Sequence, residues 1–377
     1  MQNRSHEQRK TRPDTWLDRL KAARIRLIRN RNFQKFAADF WPTRHIAHST
    51  AAASFDLCAG FIYSQILLAC IETRLLDALS DAPLTIDDIS RVTGLPTDGA
   101  TRLIRAASDL KLAEARSRER FGLGPMGAAI LSNPGVVDMI AHHRSLYDDL
   151  RNPVALLKAR RADTELAKFW PYAAGEGTIS EEDRLATKSY SDLMGRTQGF
   201  IAEDVLDAYN VKRHRHLMDV AGGNGTFLAA AKQRARQLDI TLFDLPAVAD
   251  LASDRFEASS IDANIVGGDM FKDAWPEGRD LISLVRILHD HDDDKVMQIL
   301  GRARDALLPG GTLLIAEPTA DSDRIGDAYF GIYLWAMGSG RPRRAEEICA
   351  MLQRAGFTSA RQKPTRQPFL VRVITAT

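Results

Sequence analysis

Cysteine is scarce in this chain of 377 residues, and neither sign of charge is in clear excess. Cys58, Cys70 and Cys349 form an odd set without C-x-x-C spacing, which argues against a disulfide framework and against a zinc site. The 51 lysine and arginine residues nearly balance the 49 aspartate and glutamate residues. The resulting net charge of +2 gives no general attraction to nucleic acid, so we expect no nucleic-acid partner.

Long hydrophobic runs are also lacking. We expect no apolar stretch to reach the ~20 residues that a membrane span requires. The basic N-terminus is not followed by an apolar segment and a cleavage site, so we expect no secretory signal. The predicted location is therefore the cytoplasm, and the length predicts two domains of ordinary size.

The first 35 residues are strongly basic. This stretch contains eleven lysines and arginines but only three acidic residues, Glu7, Asp14 and Asp18. Apolar residues from Trp16 to Ile28 recur at roughly helical spacing. A basic amphipathic helix can lie on an anionic bilayer. The alternative is a solvated arm that docks on the rest of the protein. Peripheral contact with an anionic membrane surface is thus one of two open hypotheses.

A glycine-rich segment, Asp219–Gly225, lies between an apolar run and a helical pattern that begins at Thr226. Glycines at a strand-to-helix turn let the backbone approach a nucleotide-like ligand. The spacing is not G-x-G-x-x-G, and no Lys-Ser/Thr pair follows as in a P-loop. A tight connection without a ligand is the alternative interpretation.

Carboxylates follow the next predicted strands. Asp244 ends the run 241–243, roughly 20 residues beyond the glycines, where this type of fold holds a ribose diol. Asp269 follows the strand 264–266, and a continuous apolar strand at 280–288 leads into His289. Open α/β sheets bind ligands at the carboxyl ends of their strands, so these polar groups predict one site.

The motifs DVAGGNG, FDLP, GDMF, ILHDHDDDKVMQIL, LLPGGTLLIAEP and RAEEICAMLQRAGF occur in this order. Together they resemble the S-adenosylmethionine-dependent O-methyltransferases of the plant caffeate and acetylserotonin type. The segments 55–65 and 164–172 and the basic arm are most similar to the carotenoid O-methyltransferases of phototrophic bacteria, which act on hydroxyneurosporene or demethylspheroidene.

If the basic arm binds lipid, the resemblance implies an inner or photosynthetic membrane. The resemblance also implies S-adenosylmethionine as the cofactor and a set of contacts for it. These expected contacts are Asp219, Ala221, Gly222, Gly223, Gly225, Asp244, Leu245, Asp269, Met270 and Arg286. Arg286 takes the place of a family lysine near the adenine, and a surface charge is its alternative interpretation.

His289 is the predicted general base. Its ordinary pKa of about 6.5 suits proton acceptance, and its position at a strand end suits contact with the cofactor. In the resembling family the histidine of this His-Asp pair is the base, and a glutamate at the position of Glu317 orients it. Asp290 is the third catalytic candidate. A second acidic residue of the plant enzymes is missing, because Pro342 stands at its position.

The acidic residues after His289 also resemble an oxygen-rich metal site. We expect no metal, because Asp292 is well placed to cap a helix at 293–307 and the next two aspartates favour its first turn.

A winged helix-turn-helix pattern lies in the N-terminal half. Thr85 predicts the cap of a helix that ends at Gly94, a second helix covers 100–110, and two short strands follow near 113–115 and 120–122. DNA binding is one function of such a unit. The resemblance instead implies a homodimer interface.

Aromatic residues predict an apolar substrate pocket. They lie on a helix at 328–337 and at Phe169, Trp170 and Tyr172, although any of them could simply be core. We expect methyl transfer to a hydroxyl of an acyclic carotenoid. The alternatives are a bacteriochlorophyll-type macrocycle, a polyketide phenol, or a winged-helix regulator with a vestigial cofactor fold.

The predicted fold is α/β, a doubly wound Rossmann-like methyltransferase sheet behind a mainly helical winged-helix dimerisation domain. The expected domains are a basic arm at 1–45, a dimerisation domain at 46–200 and a catalytic domain at 201–377. The last strand, 369–375, should run antiparallel.

Overall fold

The computed structural model describes residues 15–159, 164–169, 181–320, 324–368 and 370–377. The chain divides into two compact units, Met1–Ala69 and Cys70–Thr377. The predicted arm residues 1–14 lie outside the described residues, as do Trp170, Tyr172 and Phe369.

The first unit contains helices α1 (Trp16–Arg29) and α2 (Arg31–Asp39) and most of α3 (Trp41–Glu72). Thr15 and Asp18 form a capping box at the start of α1, and the Asn30 side chain caps α2. Large apolar side chains are exposed along all three helices; Trp16 is 69% exposed and Trp41 is 78% exposed. Such surfaces are typical of segments that pack against a partner or a membrane.

Helix α3 corrects the expectation that no apolar stretch could span a bilayer. It has 32 residues, and an 18-residue window in it has a mean hydropathy of 1.6. Serine, threonine and histidine interrupt the run, but they lower the average less than charged residues would. By length and composition alone the helix could cross a membrane, although core helices of soluble proteins pass the same test.

The winged-helix unit is confirmed in the second compact unit. It consists of α4 (Leu75–Asp81), α5 (Ile86–Thr93), α6 (Thr97–Asp109), β1 (Ala113–Arg116) and β2 (Arg120–Leu123). The Thr85 capping box begins α5, and Gly94 ends it with a φ of +69°. Strands β1 and β2 pair antiparallel to form the wing.

Among the described residues, five further helices lead to the sheet. They are α7 (Pro125–Leu131), α8 (Pro134–Asp149), α9 (Pro153–Lys158), α10 (Glu165–Phe169) and α11 (Glu181–Ala208). Proline at the first turn of α7, α8 and α9 suits a position where the backbone N–H has no helical partner.

The predicted doubly wound sheet is confirmed as seven strands in the order β10-β11-β7-β6-β3-β4-β5. Strands β3 to β7 are parallel, and β10 and β11 run antiparallel at one edge. The strands are β3 (His216–Val220), β4 (Asp239–Asp244), β5 (Asn264–Gly267), β6 (Arg279–Val285), β7 (Leu307–Glu317), β10 (Ala360–Lys363) and β11 (Arg372–Ala376).

Helices cover both faces of this sheet. They are α11, α12 (Thr226–Arg234), α13 (Pro246–Ala258), α14 (Asp293–Ala306) and α16 (Ala345–Arg354). Neighbouring strand residues alternate between two hydrophobic clusters, so Leu217 faces one and Met218 the other. This burial on both faces explains why the strands are continuously apolar.

The strand predicted to run to Leu288 ends earlier, at Val285. Arg286 has a φ of +61°, and Leu288–Asp290 form a short 3-10 helix. The apolar run therefore continues into a buried turn rather than a longer strand. Beyond β7, the short strands β8 (Thr319–Ala320) and β9 (Arg343–Arg344) pair in parallel, and α15 (Arg324–Met337) connects them.

Candidate active site

The glycine turn follows β3 at the carboxyl edge of the sheet. Ala221, Gly223 and Gly225 have φ values of +53°, +61° and +76°. A Cβ at Gly222 would lie 2.4 Å from Asp219 Oδ2 and 2.7 Å from Leu242 Cδ1. The turn thus bends sharply against the sheet, which requires glycine for steric reasons.

Asp219 and Asp244 are buried carboxylates on neighbouring strands. The Ser283 hydroxyl donates to Asp219 Oδ1 at 2.6 Å. Asp244 accepts hydrogen bonds from the backbone N–H of Gly223 at 2.8 Å and of Leu245 at 2.7 Å. Burial raises the pKa of each aspartate to about 7, although these hydrogen bonds oppose the shift. Both groups therefore sit near the balance between acid and carboxylate at neutral pH.

The structure places Asp269 and Met270 at the end of β5. Asp269 is half-buried and accepts from the backbone N–H of Phe271 at 2.8 Å. The Met270 carbonyl accepts from the indole N–H of Trp275 at 2.9 Å. These residues therefore share the carboxyl edge of the sheet with the glycine turn.

Arg286 is directed toward α11. Its guanidinium donates to the Thr197 hydroxyl at 2.8 Å and lies 3.4 Å from the Met194 sulfur. The sequence had suggested neither partner, because α11 is remote in the chain. This arrangement ties the carboxyl end of β6 to the helix before the sheet.

His289 lies between two carboxylates and is 7% exposed. Its Nδ1 is 2.5 Å from Glu317 Oε2, and its Nε2 is 3.1 Å from Asp290 Oδ1. Glu317 also accepts from the backbone N–H of Ile287 at 2.8 Å and of Leu288 at 2.6 Å. The three predicted catalytic residues are thus brought into one buried group.

Burial and charge act in opposite directions on this group. Burial lowers the pKa of His289, but the Asp290 and Glu317 carboxylates outweigh it and raise that pKa above its ordinary value. Burial raises the pKa of Asp290 to about 6. Both shifts favour a proton held between His289 Nε2 and the Asp290 carboxylate.

A cluster of aromatic and imidazole rings on α8 and α15 extends to His289. The Phe330 and His289 rings form a T-shaped pair at a centroid distance of 6.3 Å. On α15, the hydroxyls of Tyr329 and Tyr333 hydrogen-bond to Nε2 of His143 at 2.8 Å and of His142 at 3.2 Å, both on α8. The predicted aromatic helix is therefore beside the candidate base. The Phe169 side chain, like Trp170 and Tyr172, lies outside the described part of the chain.

Near the base, the structure contradicts the predicted cap at Asp292 and places a residue that the sequence did not suggest. The Asp292 side chain does not cap α14; its Oδ1 accepts from the Gly340 backbone N–H at 3.2 Å. The sequence suggested no role for Arg343. Its side chain is almost fully buried, at 2% exposure, and binds the carbonyls of Leu288 and His291 on either side of His289. A buried arginine gives no signal in a single sequence, because arginine is usually exposed.

Comparisons with known proteins identify the family. A model of the O-methyltransferase domain matches residues 147–358, and a model of the O-methyltransferase dimerisation domain matches residues 55–133. The demethylspheroidene O-methyltransferase of Cereibacter sphaeroides is 38% identical over 357 residues, which cover 93% of each chain. The chain belongs to the O-methyltransferase family. Its cofactor is S-adenosylmethionine.

Other relatives agree with this O-methyltransferase assignment. The demethylspheroidene O-methyltransferase of Rhodobacter capsulatus is 42% identical over 327 residues, which cover 86% of this chain and 81% of that protein. Human N-acetylserotonin methyltransferase, solved with its methyl donor, has a TM-score of 0.73 at 22% identity and covers 87% of this chain and 97% of its own. At that identity the likeness concerns the fold.

The glycine edge of this O-methyltransferase, meaning the carboxyl edge of the sheet around the turn 221–225, fits S-adenosylmethionine. Among the described residues, Asp219 Oδ2 is a buried oxygen without a hydrogen-bond donor. A Cβ at Gly223 would meet no protein atom within 4 Å, so the turn is open at this point. A ligand with ammonium and hydroxyl donors matches two buried carboxylates beside an open glycine turn.

Proposed function

We propose that this protein transfers the methyl group of S-adenosylmethionine to a hydroxyl of an acyclic carotenoid. The observation that carries the proposal is the identity of 38–42% with two demethylspheroidene O-methyltransferases over most of the chain. The aromatic helix α15 beside His289 supports it, because a long polyene needs an apolar channel that reaches the base.

His289 is the proposed general base. When bound, S-adenosylmethionine supplies an electrophilic methyl carbon whose leaving group is a neutral thioether. Glu317 at Nδ1 keeps the proton of the neutral imidazole on that nitrogen and directs the Nε2 lone pair toward the substrate. As the O–CH₃ bond forms, the hydroxyl proton moves to Nε2, and Glu317 stabilises the imidazolium.

Asp290 occupies the place that the substrate hydroxyl has to take at Nε2. We propose that the hydroxyl displaces this carboxylate, which then remains close enough to balance the new charge. An aliphatic alcohol is about as weak an acid as water, so its pKa lies far above that of imidazolium. Proton transfer to His289 is therefore expected late in the displacement, and orientation of the hydroxyl supplies much of the acceleration.

The cofactor is proposed to bind at the carboxyl edge of β3, β4 and β5. Asp219 and the turn residues Ala221, Gly222, Gly223 and Gly225 would hold its amino-acid portion, and Asp244 and Leu245 its ribose. The remaining proposed contacts are Asp269, Met270 and Arg286. Arg286 would contact the cofactor directly. It would also position α11 beside the cofactor, because its guanidinium donates a hydrogen bond to Thr197 on that helix.

A homodimer and peripheral membrane contact complete the proposal. The dimerisation-domain match begins at residue 55, where α3 exposes Phe55, Leu57 and Phe61, so a second copy is the proposed cover for that helix. On α1, Trp16, Leu20 and Leu27 share one face, while Arg19 and Arg26 lie on another. This distribution fits an anionic membrane surface that supplies an apolar substrate.

The test is methyl transfer from labelled S-adenosylmethionine to detergent-dispersed hydroxylated carotenoids, with bacteriochlorophyllides and simple phenols in parallel. We expect label in the carotenoid fraction and a loss of at least about 100-fold in kcat for His289→Ala. Transfer to a phenol or a macrocycle instead would replace the carotenoid proposal. Tight cofactor binding without transfer to any class would favour the regulatory alternative, and full activity of His289→Ala would exclude this base.

A further inference from the structure

We propose that Arg343 is a positioning residue for the reaction and that it fixes the turn that carries His289. This inference rests on the proposed role of His289 as the base. Arg343 is separated from the reacting atoms by the backbone of that turn, so its effect has to pass through the orientation of the imidazole.

Four successive carbonyl oxygens of the turn accept hydrogen bonds from one segment of the chain. Arg343 Nη1 donates to the Leu288 carbonyl and Nη2 to the His291 carbonyl, each at 2.6 Å. Between them, the backbone N–H of Arg341 donates to the His289 carbonyl at 2.9 Å, and the Ser339 hydroxyl donates to the Asp290 carbonyl at 2.8 Å. The segment 339–343 thus binds every carbonyl from residue 288 to residue 291.

Glu317 binds the opposite polar groups of the same turn. Its carboxylate accepts from the backbone N–H groups of Ile287, Leu288 and His289, at 2.8, 2.6 and 3.4 Å. The turn is therefore held through its N–H groups by one residue and through its C=O groups by one segment. A turn held on both sides has little freedom to rotate, which keeps the imidazole between its carboxylates.

Arg343 is itself rigidly held. Asp293 Oδ1 accepts from its Nε at 2.9 Å and from its Nη2 at 2.7 Å. The pairing of β8 with β9 places Arg343 opposite Thr319, two residues beyond Glu317. A buried guanidinium with this many acceptors needs its planar set of donors, which a lysine ammonium cannot reproduce.

Arg343 acts on His289 chiefly through the geometry of the turn. Burial and the Asp290 and Glu317 carboxylates dominate the pKa of His289, and Arg286 lowers it. The segment 339–343 contains no acidic residue. The segment therefore acts on the base through hydrogen bonds to its backbone.

The main variants are Arg343→Gln and Arg343→Lys, with Arg344→Gln as the matched control. Arg344 is the next residue and is exposed, so Arg344→Gln removes the same charge from the surface of the same segment. Gly340→Ala is an independent probe of the segment, because its Cβ would lie 2.0 Å from the His289 carbonyl oxygen. It serves if the Arg343 variants do not fold.

The first readout is the pKa of His289 from histidine NMR of the protein without cofactor, with His289→Ala for assignment. In Arg343→Gln the imidazole should leave its carboxylates, so its pKa should fall. The other charged or titratable groups nearby, Asp290, Glu317, Arg286, His291 and Tyr333, are not changed. Loss of the Arg343 charge by itself would raise the pKa of His289, so a fall reports the movement of the imidazole.

The second readout is kinetic. We expect kcat to fall on the order of 100-fold in Arg343→Gln and in Gly340→Ala, as for a small misplacement of a catalytic group. Affinity for S-adenosylmethionine should change less than about threefold, because the glycine edge is untouched. The acid limb of the pH profile should move to lower pH with the pKa of His289. Arg343→Lys should recover a fraction of the loss, and Arg344→Gln should match the wild type.

The proposal fails if folded Arg343→Gln keeps the wild-type His289 pKa and kcat, or if Arg344→Gln has the same effect as Arg343→Gln. If both Arg343 variants unfold, a Gly340→Ala protein with normal kcat would overturn it equally. Failure of the proposed function is a different result, because it removes activity from the wild type and leaves the NMR comparison intact.

Discussion

At the scale of single residues, two kinds of buried carboxylate occur in this protein. Glu317 is surrounded by donors from the backbone and from His289, so its charge is satisfied by the protein. Asp219 and Asp244 are buried with fewer donors, and burial raises their pKa to about 7. The arrangement at Glu317 suits a residue that orients a base. The arrangement at Asp219 and Asp244 suits residues whose missing hydrogen-bond donors are supplied by a ligand.

The raised pKa values of Asp219 and Asp244 predict pH-dependent cofactor binding. Below pH 7 both aspartates are increasingly protonated in the free enzyme, and a bound ammonium or ribose hydroxyl favours the carboxylate. Affinity for S-adenosylmethionine should therefore rise as pH increases from 5.5 to about 7 and level off above that. Calorimetry in two buffers with different ionisation enthalpies should detect proton release on cofactor binding at about pH 6.5.

The control for this prediction is Asp219→Asn, which removes one of the two titrating groups. Its pH dependence should be shallower than that of the wild type, although its affinity at high pH should be lower. An affinity that does not vary across this pH range would contradict the assignment of these aspartates to the cofactor.

At the scale of elements, the strand-to-helix turn after β3 depends on glycine for two different reasons. At Gly225, a Cβ would lie 2.4 Å from Phe256 Cζ, so the protein itself excludes a side chain. At Gly223 the protein leaves room, and only the φ of +61° opposes alanine. Alanine at Gly225 therefore tests packing inside the protein, whereas alanine at Gly223 tests whether a ligand uses the open space.

This difference makes Gly223→Ala and Gly225→Ala a matched pair. Gly225→Ala should lower the melting temperature more, because the core ring of Phe256 has to move. Gly223→Ala should cost about 1 kcal/mol of stability from its backbone conformation, but it should weaken cofactor binding tenfold or more. Equal cofactor affinity for Gly223→Ala and the wild type would mean that the ligand does not approach this turn closely. Thermal unfolding and calorimetry measure the two effects.

Element boundaries show where sequence patterns lose information. The apolar run 280–288 reads as one strand, but the chain leaves the sheet after Val285. The backbone N–H groups of Ile287 and Leu288 then bind Glu317 rather than a neighbouring strand. A residue 30 positions away therefore decides where this strand ends.

At the scale of the whole molecule, the basic arm predicts adsorption to anionic membranes. The full-length protein should bind vesicles that contain phosphatidylglycerol and release them at high salt, because basic side chains on α1 contact the headgroups. Replacement of Arg19, Arg26 and Arg29 by glutamine should reduce co-sedimentation several-fold, since each basic residue contributes about 1 kcal/mol near such a surface.

The matched control replaces three exposed arginines of the winged-helix unit, Arg102, Arg105 and Arg118, by glutamine. The net charge then changes equally in both variants, so a difference between them reports the arm itself. Equal binding of the two triple variants and the wild type would mean that α1 does not contact lipid.

The sequence by itself determined the fold class, the glycine turn, the strand-end carboxylates and the His289–Glu317 pair, because these depend on local patterns and on motifs in a set order. Tertiary structure alone decided the rest. It placed Asp290 at Nε2, turned Arg286 toward α11, bound Asp292 to Gly340, and buried Arg343 against the carbonyls of the His289 turn. Each of these contacts joins a side chain to a partner set by packing, and no local periodicity encodes such a partner.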